Sequence, residues 1–119
     1  MTYLAAFDGA AYGWQLDRDV LRQALLRDQP HVAIRLDASE VRDVWWQFNS
    51  AGGPAEAYTH ADGTCLYIDG SLDAAAALAT WYRGLVPSHI DVVFCDEEYT
   101  VCANIPVEAT PEELIRLIS

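Results

Sequence analysis

The dipeptide Asp62-Gly63 stands between two runs of alternating residues within 55–69, and no other stretch restricts the fold so tightly. It supplies the positive backbone angles of a two-residue type I′ turn, whose twist matches that of paired strands. Fixing the turn fixes the register. His60 then faces Cys65, Thr59 faces Leu66, Tyr58 faces Tyr67 and Ala57 faces Ile68. One side of the ribbon carries Ala57, Thr59, Leu66 and Ile68 and belongs to a core; the other carries Glu56, Tyr58, His60, Cys65, Tyr67 and Asp69.

Other elements follow from their punctuation. Residues 3–7 read as a strand ending at Asp8-Gly9, followed by a loop over 10–15. Asp17 reads as the N-cap of a helix with a Leu21, Ala24, Leu25 stripe, closed by Pro30, and 31–36 alternates like a half-buried strand. Ser39 predicts a second helix, with Val41, Val44, Trp45 and Phe48 inward and Trp46 off the stripe, and Gly52-Gly53-Pro54 marks an interior linker. Ser71 caps a third helix that packs by Ala74, Leu78, Trp81 and Leu85. A second hairpin joins 90–95 to 100–105. Its best facial segregation sets Cys95 opposite Thr100 and Cys102 opposite Val93, which leaves the two sulfurs diagonal and disfavours a disulfide. Thr110-Pro111-Glu112-Glu113 is a capping box opening a last helix, with Leu114, Ile115, Leu117 and Ile118 to dock. The sum is a single α+β domain over 1–119: a mainly antiparallel sheet of about five or six strands, with three or four helices packed mostly on one face.

Charge narrows the function classes. Eighteen acidic residues against seven Arg and no Lys give a net charge of −11 in 119 residues. Such a balance repels nucleic-acid phosphate and anionic lipid, so direct nucleic-acid binding and membrane association are not expected. No apolar run approaches the ~20 residues of a membrane span. Three cysteines, an odd number at spacings that match no zinc pattern, fit a cytoplasmic protein without a cleaved signal. His31, His60 and His89 lack ligand spacing, and no cofactor or metal is expected.

Two chemistries compete for the polar side of the central hairpin. An imidazole at His60 beside the Cys65 thiol, oriented by Asp69 or Glu56, has the makings of a nucleophile, although no oxyanion loop accompanies it. Against that, Tyr58 and Tyr67 among carboxylates make a protein-binding surface, since rings give area at little entropy cost and acids steer a cation. The expectation is a non-enzymatic acidic module that docks a basic protein, of the physical type of bacterial immunity proteins and other small inhibitors of basic toxins or nucleases. Its anchors are Tyr58, Tyr67 and Trp46, and its steering charges Glu56, Asp69, Glu97 and Glu98. A small Cys/His hydrolase and a structural homo-oligomeric module, such as a homodimer, are the alternatives.

Overall fold

Period-2 alternation along the strands separates an apolar side from a polar one, and the strands join into one antiparallel sheet. The computed structural model describes residues 2–28, 33–36, 44–50, 53–60 and 63–118, with backbone only for 33–36 and 50. In chain order the elements are β1 (Thr2–Ala6), α1 (Gly9–Tyr12), α2 (Arg18–Asp28), β2 (Ala33–Leu36), β3 (Val44–Ser50), β4 (Gly53–Thr59), β5 (Cys65–Asp69), α3 (Leu72–Leu85), β6 (Val93–Asp96), β7 (Cys102–Asn104) and α4 (Pro111–Ile118). The seven strands lie in the order β2-β3-β4-β5-β1-β6-β7. The fold is α+β, as the pattern of elements implies.

Local signals that rest on hydrogen-bond donors and acceptors appear as read. The Asp17 side chain accepts from the Asp19 amide at 2.7 Å, the Ser71 hydroxyl from the Ala74 amide at 3.2 Å, and Thr110 and Glu113 exchange the bonds of a capping box. Asp8 caps the one-turn helix α1 through the Ala11 amide. The register at the centre also holds, with Tyr58 opposite Tyr67 and Thr59 opposite Leu66. The turn itself differs from the expected two-residue type I′ loop: the Gly63 N–H donates to the His60 carbonyl, so Gly63, at φ 69°, stands at the fourth position of the turn and not at its centre, while Asp62 lies outside the described residues. Glycine is required at 63, because a Cβ there would sit 2.4 Å from the Leu16 carbonyl oxygen.

Three further expectations are corrected. The segment read as a helix capped by Ser39 is strand β3 from Val44 onward, while 39–43 lies outside the described residues. Val44 and Phe48 satisfy both a helical and a strand period, but burial decides: Val44 and Trp46 are fully buried, Gln47 is exposed and Trp45 half-buried. Second, the supposed linker is a hairpin reversal, with Ser50 opposite Gly53 and Asn49 opposite Pro54. Third, β6 and β7 pair two residues away from the expected register. Cys95 faces Cys102, and the two are bonded as a disulfide with Cα atoms 4.2 Å apart. A slip of two leaves every side chain on its own face, so facial segregation alone could not detect it.

Helices α2, α3 and α4 bury their apolar sides with one face of the sheet. The shared core contains Ala5, Ala57, Leu66, Ile68, Trp46 and Phe94 from the strands, Leu21 and Leu25 from α2, Leu78, Ala79 and Tyr82 from α3, and Leu114 from α4. Ala75, Ala76 and Ala79 let α3 lie close on β1 and β5. The buried stripe of α3 runs through Leu78 and Tyr82, leaving Trp81 and Leu85 at its margin, and Leu117 of α4 stays exposed rather than docked. The Trp81 indole donates to Asp28 at 2.9 Å and ties α3 to α2; the Arg27 guanidinium, and then this indole, hold the Asp28 carboxyl pKa down to about 2.

Arg83 closes the C-terminal end of α3. It is 4% exposed and donates to four carbonyls, those of Ile105, Val86, Pro87 and Ser88, at 3.1–3.4 Å. A planar fork of donors joins α3, the chain after it and the exit from β7. We predict that Arg83→Ala lowers stability by about 2 kcal/mol, because its bonds to the Ile105 and Val86 carbonyls are buried and lose their donor, and that Arg83→Lys recovers only part of the loss. A lower urea midpoint at unchanged slope is the expected reading, and an unshifted midpoint would contradict it. Thiol titration of the unfolded chain without reductant should find one group, Cys65, and after reduction three.

Candidate partner-binding face

The register places two rows of side chains side by side on the sheet face opposite the helical layer. The first runs Trp45, Tyr58, Tyr67, Leu4, Cys95, Cys102, each opposite the next on the neighbouring strand. The second runs Gln47, Glu56, Asp69, Thr2, and continues where the Glu97 amide donates to the Thr2 carbonyl at 3.0 Å. Corresponding members are two positions apart along a strand, or about 7 Å. An aromatic strip therefore borders an acidic one.

The aromatic members of the first strip and the acids of the second stay open, whereas Leu4 and Cys95 are buried. Tyr58, Tyr67, Trp45 and Glu56 are half-buried, while Asp69, Glu97 and Glu98 are exposed. Tyr58 and Tyr67 stack with centroids 4.9 Å apart and planes 14° from parallel, and the His60 ring lies 5.0 Å from Tyr67. The Trp45 indole donates to Glu56 at 3.1 Å, which holds that carboxylate against the aromatic strip. Burial, then the neighbouring Cys65 thiol with its hydrogen bond, and the phenols of Tyr58 and Tyr99, push the Tyr67 hydroxyl up to about 12.

Residues singled out from sequence fall into three groups. Tyr58, Tyr67, Glu56, Asp69 and Glu97 come together; Glu98 sits farther along the β6–β7 turn. Trp46 does not belong: it is fully buried in the core, 6.2 Å from Trp81, with an indole N–H that makes no hydrogen bond among the described residues. Trp45 takes its place on the open face. The signal was available in the alternation of Val44, Trp46 and Phe48 against Trp45, Gln47 and Asn49, hidden by a coincident helical spacing.

The hydrolase constellation is not assembled. Along β5, Tyr67 stands between Cys65 and Asp69, which puts the carboxylate four residues, about 13 Å, from the thiol. The Cys65 thiol shares a hydrogen bond with the Tyr67 phenol, and His60 packs on the Tyr67 ring with no carboxylate of β5 to orient it. Among the described residues no group of three His, Cys, Asp or Glu side chains is placed to hold a metal ion, and no helix is long and apolar enough to cross a membrane.

Beyond Leu4, the open face sinks into a cleft of about 590 Å³ between β1, β6 and α1. Leu4, Ala6, Val93 and Cys95 contribute to it from the sheet, with Tyr12 and Tyr99 alongside.

Comparison with known proteins adds no template. No protein-family model matches the chain, and no curated protein and no solved structure matches it.

A raised phenol pKa has a defined signature. Tyr67 is protonated more tightly in the folded chain, so its contribution to stability is complete below the ordinary tyrosine value and is lost as pH climbs from about 10 through about 12. Phenolate absorbance of the wild type should show a step near pH 12 that Tyr67→Phe removes. If the step persists in that variant, the assignment to Tyr67 is wrong.

Proposed function

We propose that the protein is a non-enzymatic binding module that docks a basic protein through its open sheet face, as an inhibitor of the immunity type does with a cationic toxin or nuclease. The observation that carries this reading is the adjacency of the two rows: half-buried Trp45, Tyr58 and Tyr67 beside Glu56, Asp69 and Glu97. Each strip supplies what the other lacks. Rings give contact area with few torsions to freeze, whereas exposed carboxylates on a chain of charge −11 accelerate encounter with a cation and reject anionic surfaces. The same charge argues against a homodimer through this face, since two copies would bring their acidic rows together without counter-charge. Cytoplasmic action fits the odd thiol Cys65; in a reducing compartment Cys95 and Cys102 would stand as thiols, with the β6–β7 hydrogen bonds retained.

The test takes a basic protein captured at low salt and measures its association kinetics. Raising salt from about 20 to 200 mM should slow association at least tenfold and change dissociation little. Replacing Glu56 and Asp69 by their amides should reproduce much of that slowing at low salt. Tyr58→Ala should instead speed dissociation. An association rate indifferent to salt and to the carboxylates overturns the proposal.

A further inference from the structure

We propose that the cleft beside Leu4 seats an arginine side chain projecting from the basic partner. The inference rests on the docking reading above and adds to it a specific anchor. Leu4 belongs both to the aromatic row, where it faces Tyr67, and to the wall of the cleft, so a chain lying on the row reaches the opening without leaving the surface. Within the cleft, Leu4, Ala6 and Val93 offer an apolar bed suited to a three-carbon stem. The carboxylates of Asp8 and Asp91, both exposed, also line it. One Asp8 oxygen accepts from the Ala11 amide at 3.0 Å; among the described residues neither Asp8 nor Asp91 forms an ion pair. Uncompensated negative charge at an apolar recess selects a cation and excludes phosphate and carboxylate ligands.

Tyrosine placement favours a guanidinium over an ammonium. Tyr99 is held at φ 58°, a left-handed conformation rare for a bulky residue, by an Asp96 side chain that accepts from the Thr100 amide at 2.8 Å and from the Thr100 hydroxyl, and by an Asp96 carbonyl that accepts from the Tyr99 amide. Tyr12 stands alongside, its ring 6.0 Å from His89 in an edge arrangement that occupies at most one of its faces. A guanidinium stacks on a phenol ring while its fork donates to carboxylates, and it surrenders hydration more readily than an ammonium.

Two blocked amino acids provide the test, N-acetyl-arginine amide and its neutral isostere N-acetyl-citrulline amide, each titrated into the whole chain while amide resonances are followed. The arginine probe should shift Leu4, Ala6, Ala11 and Val93, and the citrulline probe should bind at least about tenfold more weakly. The Asp8→Asn, Asp91→Asn double variant should lose about tenfold for arginine while keeping its spectrum, because asparagine caps α1 as aspartate does. Equal affinity for both probes, shifts confined to Trp45 and Tyr58, or no binding at all overturns the inference. A salt-sensitive partner that binds wild type and double variant alike would remove the arginine anchor while leaving the docking face in place.

Discussion

One-sided cover of a wide sheet is the constraint from which the other features follow. Helix α3 reaches the central strands because alanines 75, 76 and 79 keep its lower side thin, and the consecutive Tyr82 and Arg83 then fasten its last turn, one to the Gly63 carbonyl and one to carbonyls beyond the helix. With the apolar sides of all three longer helices committed to the same core, the opposite side of the sheet is left to strand side chains alone. Pleating decides which residues those are. The registers of β1, β4 and β5 fix the centre of each row, and those of β3, β6 and β7 extend it to either side.

Legibility followed the range of the interaction. Features written in three or four consecutive residues, such as the Asp17 and Ser71 caps and the Thr110–Glu113 box, were readable because their donors and acceptors are neighbours in sequence. The β4–β5 face was readable for the same reason. What failed depended on partners elsewhere. Val44 to Asn49 carries a pattern compatible with two periods, and it becomes a strand because Trp46 finds a deep site against Trp81 while β4 offers a paired edge. The β6–β7 register differed by two, a shift to which facial patterning is blind. The turn around Asp96 and the Glu97 bond to Thr2 decide it, and neither has a sequence signature of its own.

The aromatic row also has a chemical character that a residue count would miss. Tyr58 and Tyr67 spend one face each on the other, and the His60 ring lies against Tyr67 as well, so little open ring face is left between them. A row of that kind is poorly suited to hold a flat ligand between open rings, and well suited to hydrogen-bonding with the irregular polar surface of a protein. Trp45, tethered through its indole nitrogen to Glu56, gives the neighbouring charge a fixed address instead of a free sweep. Preorganised carboxylates lose less freedom on contact than mobile ones.

The strand at the far margin carries a separate lesson. β7 is three residues long and is bonded through Cys102 to the strand inside it, with Ile105 bonded back to Val92 immediately after. A margin so short exposes few unsatisfied amides and carbonyls, and its pairing with β6, reinforced by the Cys95–Cys102 bond when that bond is oxidised, keeps it from peeling away to reveal the longer strand beneath. At that border the molecule is guarded against self-templated stacking into fibrils, a hazard for any sheet that leaves one whole side without a helical blanket.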